Sequence, residues 1–274
     1  MTARPAWATV APGVHVWRYP VLDVNVTVVL GDGYALVVDT LSTAAQAEAL
    51  AAGLAGLGVT RYGIVNTHHH FDHCFGNATL TGEIWAHTET CRLLGDRPEA
   101  FVAEAVDRHA ADHPELADGL PSVRLRAPDH AVRDRVTLDV GGRPVELVHP
   151  GRGHTAGDLV VRVPDCDVLI VGDLIEQGAP PNFAEAYPLD WPDAVATLLP
   201  WATGPVVPGH GAVVDGGFVA AQHAELAELD WRIREGHADG APVAEVAGRA
   251  GPFDVATRHT AVLRGYAELS GRDA

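Results

Sequence analysis

Residues 68–73 carry side chains that could bind metal ions. Their sequence, HHHFDH, places four imidazoles and one carboxylate within six residues. Imidazole and carboxylate donors without a thiolate suit a borderline cation such as zinc. Because histidine is a scarce residue, this density favours a metal site over the alternative of a solvated polar turn.

The strand predicted just before this cluster determines which side chains could share one ion. Residues 62–65 (YGIV) include β-branched residues and show no helical period, which is typical of a short buried strand. Strand side chains alternate, so a continuation of the strand would turn His68 and His70 to one side and His69 to the other. Where the chain leaves the strand, the side chains of Asp72 and His73 can turn towards a second metal position close by. We therefore expect one short loop to supply ligands to two metal ions.

The elements around the cluster predict a sheet-based fold. Residues 12–40 are typical of an antiparallel meander, and the Ala- and Leu-rich residues 43–57 predict a helix. The strand that follows delivers the cluster at its carboxyl end, where open sheets place their chemistry. Hairpins predicted over residues 135–149 and 159–171 repeat this organisation in the second half.

This organisation predicts the α/β class and, within it, a four-layer αββα sandwich. No linker or low-complexity segment divides the chain, so we expect one domain over residues 1–274. Residues 216–274 are predicted to be a C-terminal helical extension of that domain.

Five segments together resemble the metallo-β-lactamase superfamily, and among its members the glyoxalase II-like hydrolases. They occur in the expected order between about residues 12 and 215. The segments are VVDT at 37–40, His68-x-His70-x-Asp72-His73, GHTAGD at 153–158, VGD at 171–173 and PGHG at 208–211. The resemblance implies the metallo-β-lactamase fold and a metal centre.

The resemblance also implies which residues bind metal. One ion would be held by His68, His70 and His154, a second by Asp72, His73 and His210, and Asp173 would bridge them. The expected cofactors are two Zn²⁺ ions, with Fe or Mn as alternatives. Asp72 would also be catalytic by orienting a hydroxide. Asp39 would orient a ligating histidine without binding the metal itself, or else cap the helix that follows it.

The function that follows from the resemblance is hydrolysis of a small carbonyl substrate, namely a thioester, lactone, ester or lactam, by a metal-bridging hydroxide. The alternatives are a mononuclear iron-dependent member that oxidises a persulfide or thiol, a β-lactamase, and a metal-stabilised scaffold or sensor without activity. Asp173 stands where one lactamase class has a cysteine, which disfavours that class. His70 stands where flavodiiron oxidoreductases have glutamate, which disfavours those enzymes.

Composition limits the partners. The net charge is −17 and all basic residues are arginine, so the surface repels phosphodiesters and no nucleic-acid partner is expected. No apolar run approaches the roughly 20 residues of a membrane span. The three scattered cysteines and an N-terminus without a long apolar segment predict a cytoplasmic protein. The expected partner is a small-molecule substrate, and the oligomeric state stays open.

Two segments with little periodicity, residues 112–130 and 177–188, are predicted to form the pocket walls. Leu116, Leu120, Phe183 and Tyr187 are the candidate apolar wall residues, while the substrate-binding residues as a set stay unknown.

Polar residues near these segments are weaker candidates. Arg152 lies next to the GHTAGD segment and is expected either to reach the pocket or to be an exposed surface arginine. His109, His113 and His130 are weak candidates for substrate contact, and His87 is expected to be structural.

Overall fold

A computed structural model of the protein describes residues 6–111 and 113–271. Seven strands form the first sheet in sequence order, antiparallel from β1 to β4 and parallel from β4 to β7. These strands are β1 (Ala8–Ala11), β2 (Val14–Arg18), β3 (Asn25–Leu30), β4 (Ala35–Val38), β5 (Tyr62–Val65), β6 (Ile84–His87) and β7 (His130–Val132).

A second sheet has the strand order β12-β11-β10-β9-β8. Its first pair is parallel and the other pairs are antiparallel. The strands are β8 (Arg135–Val140), β9 (Arg143–Val148), β10 (Val160–Val163), β11 (Val168–Glu176) and β12 (Val206–His210). Both hairpins predicted for this half of the chain are present.

The two sheets face each other across an apolar layer. Val16 and Leu36 of the first sheet belong to one buried cluster with Leu147, Val161 and Ile170 of the second. Burial of such side chains contributes roughly 25 cal/mol per Å² of apolar surface removed from water, which makes this layer a main source of stability.

Helices cover the outer faces of both sheets. Helix α1 (Ala44–Gly56) packs Leu50 and Leu54 against the outer face of the first sheet. On the second sheet, Trp191 of α6 (Trp191–Ala196) and Ile233 of α7 (Gly216–Ala238) join the cluster that contains Leu174. The predicted four-layer αββα sandwich is therefore confirmed.

Helix α1 begins at a side-chain cap. The Oγ1 atom of Thr43 accepts a hydrogen bond from the backbone N–H of Gln46 at 3.3 Å. Such a cap satisfies one of the free N–H groups of the first turn. The alternative that Asp39 caps this helix is therefore wrong.

Helices occupy much of the chain between β5 and β7. This part contains α2 (Phe71–Cys74), α3 (Thr88–Asp96), α4 (Pro98–His109) and α5 (Pro114–Ala117). Leu116 and Leu120 are fully buried in a cluster with Phe71 and Phe75. The prediction that these two leucines form a pocket wall is wrong, because their side chains belong to the core. Asp112, the first residue of the predicted wall segment, lies outside the described residues.

The C-terminal part is helical, as predicted. It comprises α7, α8 (Val243–Gly248) and α9 (Val255–Leu269). Leu226 and Leu229 of α7 and Val262 of α9 pack in the same buried cluster as strand β11. The assignment of residues 1–274 to one domain stays a prediction. In the part of the chain that the structure describes, no helix has both the length and the apolar character needed to cross a membrane.

Candidate metal centre

A buried polar network holds the loop between β5 and α2. Asn66 and Asn77 exchange side-chain hydrogen bonds of 3.0 and 2.8 Å, and the hydroxyl of Thr40 donates to Asn77 Oδ1 at 3.0 Å. The backbone carbonyl of His73 accepts from Thr40 N at 2.9 Å. Because a fully satisfied buried network fixes one backbone conformation, the histidines of this loop are held in place.

The His154 loop is fixed by its own motif. The carboxylate of Asp158 accepts from the backbone N–H of Thr155 at 2.9 Å and from its hydroxyl at 2.6 Å. Leu159 N donates to the carbonyl of Thr67 at 2.7 Å, which joins this loop to the end of β5. The GHTAGD segment therefore carries His154 towards the HHHFDH loop.

Glycine is required where β11 and β12 meet at the site. A Cβ atom on Gly209 would lie 1.8 Å from Oδ1 of Asp173, so only glycine lets this carboxylate occupy its position. The following residue, His210, ends β12, and the Asn25 side chain donates to the Pro208 and Gly211 carbonyls at 3.0 and 2.9 Å. Both sheets thus contribute to the position of His210.

The structure brings four predicted ligands into one group. Potential donor atoms of His68, His70, His154 and Asp173 all lie within 4.8 Å of one another. His154 Nε2 is 2.8 Å from His70 Nδ1 and 3.4 Å from Asp173 Oδ2. Nε2 of His68 and Oδ1 of Asp173 are buried without a hydrogen-bond partner. Since buried polar atoms normally have partners, these atoms fit a site for a cation.

Three further predicted ligands form an adjacent group. Donor atoms of Asp72, His73 and His210 also lie within 4.8 Å of one another. The Asp173 carboxylate touches this group as well, with Oδ1 3.2 Å from His73 Nε2 and Oδ2 3.4 Å from His210 Nε2. Asp173 thus lies between the two groups, as a bridging ligand would. The assignment of these seven residues as metal ligands stays a proposal.

The electrostatics of the site suit cation binding. Burial lowers the pKa of His68 well below its ordinary value and that of His154 to about 3, so both imidazoles keep a free lone pair. Burial acts against the charged forms of His210 and Asp173. Attraction to Asp173 outweighs it for His210, and attraction to His73 and then His210 outweighs it for Asp173. The pKa of His210 rises to about 10, and that of Asp173 falls well below its ordinary value. Without metal, a proton on His210 thus supplies the positive charge beside Asp173. A metal ion that bound there would have to displace this proton.

The nitrogens that face away from the donor groups have partners of their own. His73 Nδ1 donates to Asp39 Oδ2 at 2.8 Å, and His210 Nδ1 donates to the carbonyl of Leu22 at 2.7 Å. The hydroxyl of Thr67 donates its proton to Asp39 Oδ2 at 2.8 Å. The hydroxyl oxygen of Thr67 is therefore the acceptor in its 3.0 Å hydrogen bond with His68 Nδ1. These contacts fix the orientation of the rings. Asp39 lies where its expected role requires, and that role stays a proposal.

A cavity of about 470 Å³ opens above both groups. Its lining combines charged and polar side chains with apolar surface from Leu22, Phe71 and Pro180. The predicted donors His70, Asp72, Asp173 and His210 face it, as do Leu22, Asp23, Phe71, Arg108, His109, His113, Glu176, Gln177, Gly178, Ala179, Pro180, Asn182, Ala184 and Glu185. The predicted wall segment 177–188 therefore lines the cavity through residues 177–180, 182, 184 and 185, whereas the described residues of segment 112–130 contribute only His113. His109 and His113 also line the cavity, whereas His130 stacks on Trp85 elsewhere.

Two predicted wall contacts, Phe183 and Tyr187, are wrong. Phe183 is buried against Trp191 in the core, with ring centroids 5.1 Å apart. Arg152 forms an exposed ion pair with Asp190 and lies over the ring of Tyr187 at 4.5 Å, so neither Arg152 nor Tyr187 lines the cavity. The surface alternative for Arg152 is the correct one.

Sequence reasoning missed Glu185 at the cavity. Its Oε2 accepts from His69 Nε2 at 3.2 Å, and its Oε1 accepts from Arg108 Nη1 at 2.6 Å. A hydrogen bond from His69, the nearby imidazole of His70 and a hydrogen bond from Arg108 hold the pKa of Glu185 well below its ordinary value, so this carboxylate stays ionised. His69 thus points away from the two donor groups, as alternation predicted. No motif surrounds Glu185 or Arg108, so no sequence signal could have found them.

The family comparison agrees with this geometry. The model of the metallo-beta-lactamase superfamily matches residues 19–229. The chain belongs to the metallo-β-lactamase superfamily. In fold it is similar to a metallo-beta-lactamase from Pontibacter korlensis, with a TM-score of 0.65 and 21% identity over 82% of this chain and 99% of that one.

Sequence relatives within the superfamily carry two different names. A metallo-beta-lactamase type 2 from Bacillus cereus is 30% identical over 162 residues, which is 57% of this chain and 54% of that protein. A hydroxyacylglutathione hydrolase from Brucella anthropi is 24% identical over 219 residues, or 80% of this chain and 71% of that protein. The chain thus spans about half the length of the first relative.

Proposed function

We propose that this superfamily member is a dinuclear zinc-dependent hydrolase of a small carbonyl substrate, namely a thioester, lactone, ester or lactam. The observation that carries the proposal is the shared position of Asp173 between two donor groups on the floor of one cavity. Iron and manganese are alternative occupants, because ligand type selects weakly among such ions.

The donor set fits two divalent cations. His68, His70 and His154 would hold one, Asp72, His73 and His210 the other, and Asp173 both. When bound, such cations supply Lewis acidity and a nucleophile at neutral pH by lowering the pKa of a coordinated water.

The remaining residues position the reactants. Asp72 faces the cavity, and its Oδ2 lies 3.4 Å from His210 Nε2, where the carboxylate can accept a hydrogen bond from the attacking water and orient it. The wall of residues 177–180 and the side of α4 enclose the acyl group and limit access of bulk water. No side-chain nucleophile is needed for this reaction.

The relatives support hydrolysis but leave the substrate class open. One is named a β-lactamase and the other a hydroxyacylglutathione hydrolase. The similarity to the Bacillus cereus protein favours β-lactamase activity as the alternative function. A mononuclear iron-dependent oxidation of a persulfide or thiol has less support, since two donor groups are present.

The cavity and the charge of the chain favour small-molecule substrates over nucleic acids. Its lining includes Asp23, Asp72, Asp173, Glu176 and Glu185, and the net charge is −17. We propose the cytoplasm as the compartment, in agreement with three free cysteines.

A substrate screen tests the proposal. Initial rates are measured with zinc-loaded protein on a thioester, a lactone, an ester, a β-lactam and a phosphodiester, at low and high salt. We expect metal-dependent turnover of at least one carbonyl substrate, and its loss after chelation. Faster turnover of the phosphodiester, or one tightly bound iron per chain with thiol oxidation, would overturn the proposal.

A further inference from the structure

Glu185 is anchored at the edge of the metal centre. Its backbone carbonyl accepts from Arg264 Nη2 at 3.1 Å, and the carbonyl of Ala186 accepts from Arg264 Nε at 3.1 Å. Tyr187 N donates to the carbonyl of Gly153 at 2.8 Å, next to His154. Helix α9 and the His154 loop therefore fix the backbone from which the Glu185 side chain extends.

The Glu185 carboxylate lies close to three nitrogen-bearing side chains, those of Arg108, His69 and His70. Oε1 is held by Arg108, and Oε2 accepts from His69 at 3.2 Å. The same Oε2 lies 3.7 Å from His70 Nε2, at the distance of an ion-pair contact. With Oε1 held by Arg108, Oε2 is the oxygen that remains directed at the two histidines.

The two nitrogens of His70 face opposite surroundings. Nδ1 points to the donor group, 2.8 Å from His154 Nε2, whereas Nε2 points to Glu185. A neutral imidazole can bind a cation only through its unprotonated nitrogen, so ligation through Nδ1 requires the proton on Nε2. An ionised acceptor beside Nε2 favours that tautomer.

We propose that Glu185 is a positioning residue of the metal centre, which holds His70 in the Nε2–H tautomer with Nδ1 directed at His68, His154 and Asp173. The inference rests on the proposed function, since it takes His70 to bind a cation. The Glu185 side chain would thereby connect the segment of residues 177–188 with the donor group that contains His70. Removal of an outer partner of this kind typically weakens metal affinity 10- to 100-fold.

Zinc titration against a chromophoric chelator tests this role without an activity assay. The variants are Glu185→Ala and the conservative Glu185→Gln, which keeps an acceptor oxygen. Glu228→Gln is the matched control, because Glu228 forms an exposed ion pair with Arg232 on α7. We expect Glu185→Ala to weaken one of two zinc equivalents at least about tenfold and leave the other unchanged. Glu185→Gln should lie between Glu185→Ala and the parent, and Glu228→Gln should match the parent.

Nitrogen NMR of the zinc-loaded parent, labelled with ¹⁵N-histidine, keeps the test valid if the alanine variant fails to fold. We expect a proton on Nε2 of His70 and a ligated Nδ1. A proton on Nδ1 would overturn the inference. Parent protein that binds no zinc would refute the proposed function and this inference with it. Parent protein with two zinc equivalents and a Glu185→Ala variant of equal affinity would refute this inference alone.

Discussion

Asp39 Oδ2 accepts a hydrogen bond from His73 Nδ1 at 2.8 Å, and the backbone of Asp39 has a φ of 69°. Residues other than glycine rarely adopt this left-handed conformation, and such strain concentrates at functional sites. The other carboxylate oxygen accepts from Thr67 N at 2.8 Å. Asp39 therefore joins the ends of β4 and β5 directly behind one imidazole of the centre.

Replacement of this acceptor should weaken one metal site. Asp39→Asn keeps the size of the side chain but removes the negative charge that favours His73 with its proton on Nδ1. We expect the zinc affinity of the group containing Asp72, His73 and His210 to fall by about 10- to 100-fold. Competitive zinc titration measures this, with Asp165→Asn as the control, because Asp165 is an exposed carboxylate that pairs with Arg143. Unchanged affinity in Asp39→Asn would contradict the proposed role.

Metal content should follow the two donor groups. We expect close to two zinc equivalents per chain in the purified protein. His70→Ala should lose mainly one equivalent and His210→Ala mainly the other, because these residues belong to different groups. Elemental analysis and stepwise titration measure this. His69→Ala, in the same loop, should have a milder effect than either, since its side chain points to Glu185 and not into either donor group. If His69→Ala lost metal while His68→Ala did not, the assignment of the ligands would be wrong.

The parts of the molecule that sequence could predict are those with local patterns. The strands and helix α1 follow from alternation and from capping residues, and the seven residues of the motifs do lie together. Glu185 and Arg108 are 77 residues apart, and only the tertiary fold brings them together.

The wall residues show a different limit. Leu116, Leu120 and Phe183 occur in segments without periodicity, where an apolar side chain fits a core as well as a pocket wall. In the structure all three are buried. Local sequence does not encode which side of such a segment faces the rest of the protein, so these predictions failed.

Asp72 should matter more for turnover than for fold. Asp72→Asn keeps the shape of the side chain but weakens a proposed metal ligand and the orientation of the attacking water. We expect turnover of the substrate found in the screen to fall at least about a hundredfold. Initial rates at saturating zinc measure this, with Asp96→Asn as an exposed control on α3. A variant that kept more than a tenth of the parent rate would contradict the proposed role.

Gly209→Ala tests whether close packing around Asp173 sets the geometry of both donor groups. The new methyl group would lie 1.8 Å from Asp173 Oδ1, much closer than non-bonded atoms can approach, so either the carboxylate or β12 must move. Because Asp173 touches both groups, we expect both zinc equivalents to weaken by at least about tenfold, in contrast to the single-site effect of Asp39→Asn. The control is Gly95→Ala in α3, where a Cβ atom meets open space. Titration and thermal unfolding are measured together, and a folded Gly209→Ala protein with two sites of parental affinity would show that Asp173 does not bridge them.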